Sequence, residues 1–247
     1  MTAPQIPKRS KFQRNFINVS RMLENLNKSP FDPAQGIKIF GITTNNSAAN
    51  NNWLITEKIM ENNRCSWAKH PLEIQYHDEE WGVPVHDDKK HFEFLLLDTF
   101  QAGLSWLTVL KKRENFRKAF DNFDFNLISG YDESKVQELL QDAGIIRNKL
   151  KISATINNAQ ALIKLSAEYG SFDKYIWSFV YGETIQNKWK FMEDVPVTTA
   201  ESDAMSKDLK KKDFRFVGST TCYAYMQAAG LVNDHLVDCF RYNISGK

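Results

Sequence analysis

Four side chains of soft or borderline ligand type stand in two pairs near the ends of one long stretch of this chain. They are Cys65 with His77, and His235 with Cys239. The second pair has the form His-x-x-x-Cys, a spacing that on a helix places both side chains on one face. Two thiolates and two imidazoles suit a closed tetrahedral zinc site, with no position left for a catalytic water. The same residues also read as two buried cysteines and two surface histidines, and spacing alone leaves both readings open.

Large rings crowd the segment around the first pair: Trp67, Tyr76, Trp81 and Trp106. Such rings line a stacking slot for a flat ligand, or they fill a core. Asp98 interrupts an apolar run between Leu97 and Thr99. A carboxylate there is a helix-end group or an acid facing a pocket. At 139–147 the chain reads Leu-Leu-Gln-Asp-Ala-Gly-Ile-Ile-Arg. This has the pattern of a helix stopped by a glycine, a hairpin, and a new helix from near Arg147. The hairpin is either an ordinary turn or a seat for a phosphate on backbone N–H groups.

The elements that must position these residues are helical. Phe92, Leu95, Leu96 and Phe100 recur at three- and four-residue spacing behind Asp87 and Asp88, both suited to N-capping. Similar periodicity runs through 106–120, 136–140, 152–165, 172–180 and 222–231, and 203–209 forms another helix running into Lys210, Lys211 and Lys212. Alternating patterns are short and few, 215–217 being one. The expected fold is an all-α domain of several short helices, without internal repeats.

Composition supports a packed domain, with 42% hydrophobic and 13% aromatic residues in 247. No apolar run approaches the roughly 18 residues of a membrane span. Three cysteines, Cys65, Cys222 and Cys239, are too few for a disulfide framework and point to a reducing compartment. The net charge of +2 is unevenly spread. Residues 1–60 hold eight Lys/Arg against three Asp/Glu, leaving 24 against 27 in the remainder. Nucleic-acid binding by such a body must use local patches rather than bulk charge. The basic start (Lys8, Arg9, Lys11, Arg14) and the asparagine tract at 45–52 set residues 1–61 apart as an extension and linker, expected to be poorly ordered. The extension reads as a targeting peptide, a nuclear address, a non-specific phosphate-binding arm or a plain solvated tail. The domain then occupies 62–247.

Several strings together resemble the DNA-3-methyladenine glycosylase I family. They are Arg64-Cys65-Ser66-Trp67, the run 76–84 (YHDEEWGVP), 101–113 (QAGLSWLTVLKKR), 141–147 (QDAGIIR), 177–180 (WSFV) and 214–235 (FRFVGSTTCYAYMQAAGLVNDH). The resemblance covers about Asn63 to Cys239 in one order; residues 1–60 share nothing with it. It implies a helix-hairpin-helix glycosylase fold with zinc near its joined termini, held by Cys65, His77, His235 and Cys239. It also implies that the hairpin at 142–147, including Gly144 and Arg147, holds a DNA phosphate, and that Leu104 fills the gap left by an extruded nucleotide. The family's base pocket maps to Trp67, Tyr76 and Trp106, with Trp81 close by, and its carboxylate to Asp98. The chain departs from the family pattern at two positions. Asp98 replaces the usual glutamate, and Glu73 falls where a tyrosine is usual.

The implied reaction is hydrolytic release of cationic N3-methyladenine from alkylated double-stranded DNA, by a monomeric cytoplasmic enzyme without lyase activity. Two rivals remain at this level. One is a non-enzymatic binder of alkylated DNA, with Asp98 too short for turnover. The other is a zinc hydrolase, which the closed ligand set disfavours.

Overall fold

The computed structural model describes residues 63–243. The expected extension, 1–61, lies outside the described residues. Within them the chain is helical apart from two short strands. The order is α1 (Pro71–Glu79), α2 (Asp88–Gln101), α3 (Trp106–Ala119), a 3-10 turn (Asp121–Phe123), α4 (Phe125–Ile128), α5 (Glu133–Gln141), α6 (Lys149–Tyr169) and α7 (Phe172–Trp177). A second 3-10 turn (Ser178–Val180), β1 (Ile185–Gln186), a third 3-10 turn (Met192–Asp194), α8 (Ala200–Lys211), α9 (Ser219–Ala228) and β2 (Val232–Asn233) complete it.

Helix starts follow side-chain chemistry. Asp87 caps α2, its carboxylate accepting the Lys90 amide at 2.7 Å. Ser105, Asp132, Asn148, Ser171 and Thr199 cap α3, α5, α6, α7 and α8 in the same way. Asp88, an equal candidate from sequence, serves another helix instead. Its carboxylate accepts the Phe172 and Asp173 amides at 3.0 and 2.8 Å, fastening the start of α7 to the start of α2.

The core forms around α2. Every residue from His91 to Phe100 is buried, so this helix has no solvated face at all. Phe92, Phe94 and Phe100 pack with Phe116, Phe120, Phe123 and Phe172, all nearly inaccessible. Polar residues in such a helix need a partner. His91 has two: Tyr225 on α9 at 2.7 Å and Asp173 on α7 at 3.1 Å.

Two local expectations change. The stretch 215–217 is not a strand, because Phe216 takes a left-handed φ of 57° that breaks an extended run. Asn158 of α6 braces it instead, accepting the Arg215 amide and donating to the Arg215 carbonyl. The strands that do form, β1 and β2, are parallel and two residues each, pairing Ile185 with Val232 and Gln186 with Asn233. Beyond β2 the chain returns to its described start. Phe240 donates its amide to the Asn63 carbonyl at 2.9 Å, and the Asn63 side chain bonds Asp238.

Candidate active site and metal centre

Cys65, His77, His235 and Cys239 converge at those joined ends. All four are buried, and one ligand atom from each lies within 4.8 Å of the others. His77 Nε2 sits 3.5 Å from Cys239 Sγ, and His235 Nδ1 sits 3.5 and 3.8 Å from Cys239 Sγ and Cys65 Sγ. Bonds of about 2.0–2.3 Å to one tetrahedral ion require ligand–ligand separations of roughly 3.3–3.8 Å, so these distances fit. The outward nitrogens are also engaged. His77 Nδ1 lies 2.8 Å from Asp78, and His235 Nε2 lies 3.1 Å from the Trp81 carbonyl. Arg64 grips the Asp78 carboxylate with Nε and Nη2. Burial alone would raise the Asp78 carboxyl, but the hydrogen bonds from Arg64 and His77 outweigh it and hold it below the usual carboxylate range. Imidazole ligands to metals show this second layer of partners.

One geometric assumption is corrected here. His235 and Cys239 do not lie on a helix; they sit on a turn after β2. The His235 amide donates to the Asn233 side chain, and the Cys239 amide to the Leu236 carbonyl at 2.8 Å. That turn brings the two side chains to one point as a helix face would.

Next to this cluster opens a slot of about 300 Å³. Trp67, Tyr76, Trp81 and Trp106 all line it, together with Asp98. Trp67 and Trp81 meet edge to face with centroids 5.1 Å apart, and Tyr76 and Trp106 meet at a tilt of 54° with centroids 5.0 Å apart. Trp81 stands between the two sites, packing on His235 at 4.7 Å as well as on Trp67. Gln101, Met192, Ala224 and Gln227 complete the lining and were not singled out from sequence. Gln101 follows Asp98 by three residues on α2, a detectable helical relation. Met192 comes from a distant 3-10 turn and carries no local signal.

Asp98 is 4% exposed, and its Oδ2 has no hydrogen-bond partner. Burial pushes its carboxyl well above the usual carboxylate range. Trp106 Nε1 is likewise buried and unpartnered. An acceptor and a donor left unsatisfied in one aromatic slot are costly unless a ligand edge meets them. Glu73 lines the slot too, but its carboxylate is committed to the start of α1, accepting the His70 amide at 3.0 Å. A larger cleft of about 650 Å³ lies behind Tyr76. Its charges neutralise one another: Arg113 bridges Glu80 and Glu93, Arg117 bonds Glu93, and Lys90 bonds Glu80. Burial opposes ionisation of Glu80, but the bonds from Arg113 prevail and hold it at about 2. This network fixes the end of α1 and carries no unsatisfied group.

The hairpin runs between α5 and α6. The second helix begins at Lys149, two residues later than expected, because Asn148 rather than an earlier residue supplies the cap. Arg147 is exposed just before it. The Gly144 amide is not open to an incoming phosphate, since it donates to the Asp142 carboxylate at 2.7 Å. A Cβ at Gly144 would meet that oxygen at 2.9 Å and Asn115 at 3.2 Å, so close approach explains the glycine. Leu104 is 42% exposed on the loop between α2 and α3.

A family model described as methyladenine glycosylase matches residues 66–242. The chain belongs to that family. It is 49% identical over 180 residues to DNA-3-methyladenine glycosylase 1 of Escherichia coli, covering 72% of this chain and 96% of the relative. It is 45% identical over 177 residues to the DNA-3-methyladenine glycosylase of Haemophilus influenzae, covering 71% and 96%. A solved variant of 3-methyladenine DNA glycosylase I in complex with 3-methyladenine superposes with a TM-score of 0.71 at 34% identity, covering 75% of this chain and 98% of that one. Membership of this family accords with the all-α fold, and no described helix is long and apolar enough to cross a membrane.

Proposed function

We propose that this protein is a monofunctional DNA glycosylase that extrudes N3-methyladenine from alkylated duplex DNA and releases it by hydrolysis. The observation that carries the reading is the unpartnered Asp98 carboxylate, buried in a slot walled by four large aromatic rings. Burial disfavours the ionised form of that carboxyl; a neutral adenine does nothing to offset this, whereas a methylated, cationic base supplies the counter-charge that favours it. Each ring facing the cation adds about 0.5–2 kcal/mol. The base is already a good leaving group, so the protein has only to flip it, hold it and stabilise the oxocarbenium-like sugar while water attacks. Leu104 occupies the space the base leaves, and the hairpin takes the phosphate backbone. Because the Gly144 amide is occupied, the hairpin amides beyond it, with Arg147, take that role. Among the residues lining the slot none is a lysine, which supports hydrolysis without an amine-dependent lyase step.

Zinc fits the Cys65, His77, His235 and Cys239 set in donor type and spacing. When bound, the ion ties residue 65 to residue 239 and supplies structure. Its four protein ligands leave no place for substrate. Asp78 holds the outward nitrogen of His77, and the Trp81 carbonyl holds that of His235. Its three cysteines, none bridged to another, suit a reducing, cytoplasmic setting, and one self-contained site per chain suits a monomer.

A base-release assay on DNA carrying 3-methyladenine and 7-methylguanine side by side tests the reading. Fast release of 3-methyladenine is expected. Tight binding to methylated DNA without release makes the protein a lesion binder instead.

A further inference from the structure

We infer that Lys151 is a positioning residue that locks the loop bearing Leu104 to the hairpin, so that docking of the DNA backbone drives the wedge. This inference rests on the glycosylase reading. Helix α2 ends at Gln101 with no basic residue in its last turn. Of the carbonyls there, that of Gln101 accepts the Leu104 amide at 2.6 Å, while those of Phe100 and the Ala102 cap have no next turn to bond and lie at the negative end of the helix dipole.

The missing cation arrives from another helix. Lys151, third residue of α6, donates from Nζ to the Phe100 carbonyl at 2.9 Å and the Ala102 carbonyl at 2.6 Å. It is 6% exposed, so it does not serve as a surface phosphate contact. Burial pulls its ammonium below the usual lysine range, which makes an apolar residue cheaper at this position. Its own amide bonds the Asn148 cap at 3.2 Å, immediately behind the hairpin.

A second lysine makes the reciprocal tie. Lys112 lies on α3, the helix that begins at Ser105–Trp106 just after the loop. Its Nζ donates to the Ala143 and Gly144 carbonyls, both at 3.0 Å, and Asn115 Nδ2 reaches the Gly144 carbonyl at 3.3 Å. The helix before Leu104 is therefore tied to the helix after the hairpin, and the helix after Leu104 is tied to the hairpin itself. Between these ties the loop has little packing of its own. Gly103 has a φ of 80°, and nothing lies within 4 Å of where its Cβ would be. Leu104 is held by the two ends of its loop, and the lysines hold those ends.

The test uses the full chain and duplex DNA containing 3-methyladenine. Lys151→Met keeps length and removes the donor. Its single-turnover release should fall about 10–10²-fold, the cost of a misplaced but intact group. Affinity for free 3-methyladenine, read by tryptophan fluorescence, and affinity for the duplex should stay at wild-type values. Lys151→Arg should recover most of the rate. In a Leu104→Ala background the further loss from Lys151→Met should largely vanish, since both changes act on one step. Equal losses in both backgrounds, or parallel loss of free-base binding, would overturn the inference. If Lys151→Met does not fold, Lys112→Met is read in the same cycle with the same two outcomes. Wild-type protein that releases no base refutes the glycosylase reading, whereas normal release by Lys151→Met refutes only the strut.

Discussion

The Cys/His cluster and the aromatic slot are neighbours built partly from the same rings, yet their polar groups are treated in opposite ways. Trp67 packs on His77 at 5.4 Å and on Trp81 at 5.1 Å, and Trp81 packs on His235. On one side of this aromatic wall both outward ring nitrogens have a partner, and Asp78 is itself gripped by Arg64. On the other side Asp98 Oδ2 and Trp106 Nε1 have none. A buried polar group with its partners supplied by the chain contributes to structure. One without them costs stability and is retained where a ligand repays it. The two regions should therefore fail differently when changed.

The largest effect is expected at the metal centre. Cys239→Ala, or a strong chelator, should abolish the cooperative thermal transition of the native domain. Structural zinc contributes on the order of 10 kcal/mol in small sites, comparable with the whole stability of a domain. Any surviving folded fraction should still release base, because the ligands do not touch the slot's carboxylate. Circular dichroism melts with metal analysis check this, and folded protein without one zinc per chain would sink it.

Asp98→Asn should do the reverse. Release of 3-methyladenine should fall about 10²-fold or more, since a charged partner leaves a desolvated site. Stability above the ordinary aspartate pKa should rise by about 1–3 kcal/mol, since the cost of keeping an ionisable carboxyl in a desolvated site goes with it. The sign follows from linkage. A carboxyl whose folded pKa is raised stabilises the fold only while protonated, and that contribution is lost as pH rises through the folded value. The stability gain should therefore shrink as pH falls toward the ordinary aspartate range. Denaturant melts at two pH values with single-turnover kinetics check both halves; unchanged release would show that stacking alone carries recognition.

A smaller effect sharpens the comparison from the metal side. Asp78→Asn keeps the shape of the His77 partner but removes its charge. Zinc affinity should fall about 10–100-fold, with release by the zinc-loaded protein unchanged. Competition with a chromophoric chelator measures it. The smallest effect is expected from removing residues 1–61. A chain beginning at Asn62 should keep base release at low salt, because the matched family region begins at residue 66. Loss of release with the remainder still folded would make the extension part of the active unit.

What was legible in the sequence was chemistry carried by residue type and local period. Helix starts were readable where a short polar side chain precedes an apolar period, as at Asp87. The four Cys and His residues were readable as one set only through the family resemblance, since their types and spacing alone also fit two buried cysteines and two surface histidines. The base slot was readable only in part. Trp67, Tyr76, Trp106 and Asp98 stand out by type, whereas Met192 and Gln227 look ordinary until the fold brings them to the slot. The helix assumed for His235 and Cys239 shows the limit of spacing arguments, because a turn and a helix both bring residues four apart together.

The sequence by itself determined the helical class and the residue types, cysteine, histidine and tryptophan, from which the site is built, since these depend on side-chain identity and on periods a few residues long. Only the tertiary structure decided which polar groups are satisfied. Whether Asp98 is partnered and where the ammonium of Lys151 finds its acceptors depend on contacts between helices, those of Lys151 reaching across 51 and 49 positions. Hydrogen bonds are short and directional, so a group's partner is set by where the packed backbone places a carbonyl or carboxylate, and no local pattern encodes that.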